Sequence, residues 1–164
     1  VKERTLSGYF CDDIRQEVDG KMSLIGCYGP EMVVPSFPVT LSKLCAVVKV
    51  CSRDGLFEKL RVMVLKGDDE IAAAEIPQVA LAQMKKASDE SQDPIKDVQH
   101  TIAVNFVMSP VTIDSPVALR VRALADGQLI KGLSLKVTST SSGPSVGGII
   151  EETRIRPKRK KVAE

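Results

Sequence analysis

A chain of 164 residues has the length of one domain, and at that size roughly 70% of the unfolded surface can be buried, enough for a single core. With no Trp, only four Phe and two Tyr among 43% hydrophobic residues, that core must be aliphatic, and no apolar run approaches the ~18 residues that a membrane-spanning helix needs. The net charge of +2 is uneven: residues 151–164 carry six basic and three acidic side chains, leaving 17 basic and 18 acidic in the rest, so the body is neutral and the tail alone is basic.

In chain order, Val1–Phe10 carries charges where a secretion signal would be apolar, so the four cysteines, Cys11, Cys27, Cys45 and Cys51, read as reduced thiols of a cytosolic protein. They include no CxxC pair, and their spacing lacks the close-set ligand pairs of a structural zinc site. Asp12, Asp13, Glu17 and Asp19 form an acidic cluster without the spacing of a calcium loop. Their expected roles are local, with Asp12 and Asp13 bonding backbone donors or pairing with Arg15, and Asp19 starting a turn.

Asp19-Gly20 is the first of three Asp-Gly pairs, followed by Asp54-Gly55 and Asp126-Gly127. Each is flanked by apolar runs and predicts a hairpin, because glycine reaches positive φ without steric cost. A fourth turn is expected at Gly67-Asp68-Asp69. Alternation of period two assigns the faces between the turns. The inward sets are Leu44, Ala46, Val48 and Val50, then Leu60, Val62 and Val64. They continue with Ile102, Val104, Phe106 and Met108, then Val117, Leu119 and Val121, then Leu129, Leu133, Leu135 and Val137.

Pro77–Lys86 interrupts the pattern: a proline near the start, spaced apolar residues and a terminal lysine pair predict a short helix, followed by a polar loop over Ala87–Asp97. The only histidine, His100, falls at the beginning of a strand on its inward side and reads as a core-edge residue rather than a catalytic base. From Thr138 a Ser/Gly/Pro linker begins. Its Gly143-Pro144-Ser145-Val146-Gly147 matches the GxSxG nucleophile pattern in letters only, since no buried strand and helix flank it.

Strands with one apolar face apiece bury it by stacking two sheets, so the predicted fold is an all-β, immunoglobulin-like β-sandwich over residues 1–138 with one short helix and an extended C-terminal arm over 139–164. The arm holds Arg154, Arg156, Lys158, Arg159, Lys160 and Lys161. Six cations in eight residues suit nucleic-acid phosphates, an acidic protein surface or an import receptor.

The stretch Tyr9–Gly29, YFCDDIRQEVDGKMSLIGCYG, resembles the opening motif of a family of small bacterial proteins of unknown function, which begins F-C-D-D-hydrophobic-R and continues through E-x-x-G-K to S-L-hydrophobic-G-x-Y. Phe10, Asp12, Asp13, Arg15, Gly20, Lys21 and Gly26 are the matching positions. The resemblance implies an all-β module found in bacteria and their phages, and carries over no catalytic residue, cofactor or metal.

The expected function is therefore that of a non-enzymatic structural or interaction protein. It would be joined to other subunits of a larger assembly, such as a phage particle, by its basic arm, without a membrane or a cofactor, in the cytoplasm or within a virus particle. The alternative is a nucleic-acid-binding accessory protein that uses the same tail.

Overall fold

The computed structural model describes residues 3–53, 55–90 and 99–140, and within them the chain is all-β apart from one helix. The strands are β1 (Arg4–Cys11), β2 (Asp13–Gln16), β3 (Met22–Ile25), β4 (Glu31–Val34), β5 (Val39–Leu41) and β6 (Leu44–Ser52). They continue with β7 (Leu60–Lys66), β8 (Asp69–Ile76), the helix α1 (Gln78–Asp89), β9 (His100–Met108), β10 (Val111–Ile113), β11 (Val117–Ala125) and β12 (Gln128–Ser139). One sheet has the order β1-β6-β9 and a larger one the order β4-β12-β11-β7-β8, with β2-β3 and β5-β10 as two-stranded pieces. The β12-β4 pair is parallel, and the others are antiparallel. No helix among the described residues is long and apolar enough to cross a membrane.

The inward faces of the two larger sheets share one core. Leu44, Ala46, Val48 and Val50 of β6 meet Val62 and Val64 of β7, Val104 and Phe106 of β9, and Leu119 and Val121 of β11 in a single buried cluster, as the alternation predicts. Burying each of the larger side chains is worth about 1.5–3 kcal/mol relative to leaving it in water. The helix docks by one residue: Leu81 is buried, whereas Val79 and Met84 are exposed.

Three of the four expected turns join hairpins. At Asp126-Gly127 both residues have positive φ, 49° and 82°, the two-residue turn whose twist matches that of the flanking strands. Asp19 and Gly20 do the same between β2 and β3, and Gly67 between β7 and β8. The hairpin expected at Asp54-Gly55 is corrected: β6 pairs with β1 and β9, and β7 with β8 and β11, so the connection crosses from one sheet to the other. Two strands each already flanked on both sides cannot also pair with one another, and the link instead carries Phe57 into the core. Asp54 itself lies outside the described residues.

A second correction concerns the last strand. Leu129 was expected inward, yet it is 55% exposed while its neighbour Ile130 is buried. The pairing of β11 with β12 passes from Arg120↔Ser134 to Arg122↔Lys131, so two residues of β12, Gly132 and Leu133, oppose one of β11. An extra residue inverts the alternation beyond it, which turns Leu129 outward and Ile130 inward. The helix also runs three residues past Lys86, to Asp89, into what reads as loop, with Glu90 as its C-cap, and residues 91–97 of that loop are outside the described residues. At the other end, β12 extends through Thr138 and Ser139, which pair with Val33 and Val34 of β4 and are not part of a linker.

Candidate functional site

Two features can be built from the residues upward, the corner that gathers the opening motif and the outer face of the five-stranded sheet.

At the corner, β1 ends with Phe10 in the core and Cys11 on the opposite side. Backbone bonds then fix the bend, the Asp12 N–H donating to the Ile25 carbonyl at 2.9 Å and the Tyr28 N–H to the Phe10 carbonyl at 2.8 Å. The Tyr28 hydroxyl donates to Asp12 Oδ1. Asp12 Oδ2 rests against Gly26, where a Cβ would lie 2.1 Å away, and Gly26 has φ +65°. Only glycine fits that position, because the carboxylate occupies the side-chain space and the backbone is left-handed.

Asp13 Oδ1 accepts from the Ile14 N–H at 2.9 Å and from Lys43 Nζ at 2.7 Å, and the Lys43 bond, then that from Ile14, holds its carboxyl below the usual range. Of the two roles expected for Asp13, it takes the bond to a local backbone donor, while its ion pair is made with Lys43 rather than with the exposed Arg15. The hairpin β2-β3 folds back over the outer face of β6, so Ile14, Met22 and Leu24 cover Cys11, Cys45 and Val47 in a second small core. That is why β6 is apolar on both faces.

The electrostatics make the corner a brace. Burial, then the neighbouring thiols of Cys45 and Cys27, pushes the Cys11 thiol up to about 11, and burial also raises Cys45. Burial and then the bond to Asp12 push Tyr28 up to about 12, keeping it a proton donor. A protonated thiol is a weak nucleophile and a poor metal ligand. Among the described residues no group of three or more His, Cys, Asp or Glu is arranged to hold a metal.

Cys27 is the exposed thiol of the four. A disulfide reagent at pH 8 is therefore expected to modify one thiol per native chain quickly and the remaining three only in denaturant, with no fast phase in Cys27→Ser. Rapid reaction of two or more thiols would contradict the sealed corner.

The motif is not one site. Gly20 and Lys21 sit at the exposed tip of the β2-β3 hairpin, away from the Asp12, Gly26, Tyr28 contact, and Phe10 belongs to the main core. Tyr28 and Lys43, which complete the corner, carried no signal in the sequence beyond a motif position and an isolated lysine. His100 faces Ser52 in register, and the Ser52 hydroxyl is buried without a hydrogen-bond partner among the described residues, so the two form no nucleophile and base pair. Arg154, Arg156, Lys158, Arg159, Lys160, Lys161 and the GxSxG look-alike lie outside the described residues.

The outer face of the five-stranded sheet differs in character. Leu124 and Leu129, directly opposite across the β11-β12 hairpin, are 40% and 55% exposed. Leu124 also borders a groove of about 620 Å³ that reaches Lys59, Arg61, Glu75 and Asp126. Arg61, the register partner of Leu124 on β7, pairs with Glu70 at 2.7 Å, and towards the other end of the face Lys136 pairs with Glu31 at 3.4 Å.

Residues 6–138 match the model of a family of unknown function, DUF6941. No curated protein matches the chain.

Proposed function

We propose that this chain, which belongs to the DUF6941 family, is a non-enzymatic interaction protein: an immunoglobulin-like β-sandwich that presents one sheet face to a partner and is anchored in a larger assembly by the basic arm that follows it. The strand order supports the immunoglobulin-like part. β1, β6 and β9 correspond to strands A, B and E of one sheet, and β12, β11, β7 and β8 to G, F, C and C′ of the other, with hairpins between C and C′ and between F and G. The observation that carries the functional reading is the outer face of the five-stranded sheet, where the exposed leucines stand on paired strands rather than on a loop. The family match ends at residue 138 and the last strand at Ser139, which supports a body and a separate arm. The opening motif's likeness to bacterial and phage proteins favours a particle subunit as the setting.

Size-exclusion chromatography with light scattering tests this on the intact chain and on a chain ending at residue 140, each with and without nucleic acid at two salt concentrations. The shortened chain is expected to keep its cooperative thermal transition within about 2 °C, as it retains every described strand and the whole of the main core. The intact chain is expected to self-associate or join protein complexes whether or not nucleic acid is present. A monomer that shifts only with nucleic acid at low salt, with a slope set by up to about six phosphate contacts, would replace this reading with phosphate binding by the tail.

A further inference from the structure

On the outer face of the β11-β12 hairpin, Arg122 and Lys131 are direct register partners, so their side chains leave the sheet side by side. Arg120 lies two residues along the same face. Like charges placed opposite each other oppose sheet formation. Elsewhere on this sheet the cations are compensated: Arg61 by Glu70, Lys136 by Glu31, and Arg120 more loosely by Asp68 at 3.7 Å. Among the described residues neither Arg122 nor Lys131 has a carboxylate within 4.0 Å. Arg122 donates to its own strand, to the Val121 carbonyl at 2.7 Å. Burial and then the nearby Arg120 push its guanidinium pKa down.

We infer that this face is a docking surface for a short acidic polypeptide segment of a partner protein, with carboxylates bridging Arg122 and Lys131 and apolar side chains covering Leu124 and Leu129. The inference rests on the interaction reading above and names the partner's chemistry. The occupant follows from what surrounds the cations. A second copy meeting this face through a two-fold axis would bring the same unpaired cations together. A continuous polyanion such as nucleic acid would run over Glu31, Glu70 and Glu75, which lie on the same outer face, and would find no aromatic ring there to stack on. A compact acidic patch flanked by apolar groups meets neither obstacle, and it matches the register, with a leucine pair and a cation pair two residues apart on adjoining strands.

The test uses the full chain in three forms: unchanged, Lys131→Glu, and one with the six basic residues of 154–161 changed to Gln. The probes are a fluorescent ten-residue peptide of alternating Glu and Leu and a single-stranded DNA of equal charge, followed by anisotropy. Lys131→Glu should weaken peptide binding at least about tenfold. The same substitution should raise Tm by roughly 1–4 °C, because it converts a like-charged cross-strand pair into an opposite one. A residue with a merely structural role would not gain stability while losing binding. The tail variant should retain most of the peptide affinity.

No peptide binding, or peptide binding that Lys131→Glu leaves unchanged, overturns the inference. If the tail variant alone loses the peptide, the face is not the site, while the interaction reading survives. If Lys131→Glu abolishes DNA binding instead, the occupant is a nucleic acid and the inference fails. The interaction reading itself fails only on the chromatographic result described above.

Discussion

Asp126→Ala is expected to lower the free energy of unfolding by about 3–5 kcal/mol, the range for breaking a buried ion pair by removing one partner, and Tm by roughly 10 °C. Asp126 holds three parts of the body together. Its Oδ2 pairs with Arg4 of β1, in the other sheet, and its Oδ1 accepts the N–H groups of Glu58 and Lys59 at 2.9 and 2.8 Å, clasping the link that crosses between the sheets. Arg4 in turn donates to the Ala125 carbonyl at 2.6 Å and lies over the Phe57 ring, 5.2 Å from its centroid.

The two partners are unequal. The Arg4 side chain is 1% exposed and that of Asp126 20%, so losing Asp126 strands a buried cation and two N–H donors, whereas Arg4→Ala leaves a carboxylate that water still reaches. Arg4→Ala should therefore cost less than Asp126→Ala in a denaturant titration, and the reverse order would refute this account.

The pair also fixes a pH dependence. Burial alone would raise the Asp126 carboxyl, but the Lys59 N–H, the Arg4 guanidinium and the Glu58 N–H more than offset it and hold it below the ordinary 3.8. A carboxyl lowered by folding contributes stability that is fully present above its unfolded value and is lost as pH falls through its folded value. The stability gap between the native chain and Asp126→Asn should thus be widest above pH 3.8 and close at more acid pH. A gap independent of pH would mean that the charge contributes nothing.

Gly8→Ala is the second large effect expected, at about 2–4 kcal/mol. Gly8 has φ +157°, and a Cβ there would lie 1.9 Å from the carbonyl oxygen of Val47. That oxygen belongs to the backbone of β6, which is paired on both sides and cannot withdraw without opening a ladder. Gly132→Ala makes a sharp comparison. Its Cβ would meet Leu6 Cδ2 at 1.7 Å, but that atom is the far end of a flexible side chain, so repacking should keep the cost to about half as much or less. Equal losses in urea denaturation of the two variants would show that backbone clash is not what decides.

Alternation along the strands made most of the main core legible, since Leu44 to Val50, Leu60 to Val64 and Ile102 to Met108 all face inward as their period requires. Local rules reached that far and no further. The bulge at Gly132 and Leu133 showed in the sequence only as a break in the alternation at Lys131 and a mid-strand glycine, and it turned Leu129 outward. The crossing between β6 and β7 looked like a hairpin because an Asp-Gly pair specifies a turn, not which strands become neighbours. Arg4 and Asp126 are 122 positions apart, and their meeting depends on how the sheets stack. The cation pair Arg122 and Lys131 was hidden for a related reason: each looks like an ordinary solvated residue until the register sets them side by side. The opening motif pointed to Asp12 and Gly26 as a set, yet only the fold explains why a carboxylate and a missing side chain belong together.

The parallel pairing of β4 with β12 has a consequence for how the protein is made. Strand β4 leaves the ribosome long before residues 136–139, which are its partners, so Met32 and Val34 wait beside an open edge through most of synthesis. The three-stranded sheet can assemble once residue 108 has emerged, but the five-stranded one closes only with the final strand. Any sequence that follows residue 140 during translation serves as the tether that brings this last strand clear of the exit tunnel. The number of residues that follow position 140 then affects when the body folds.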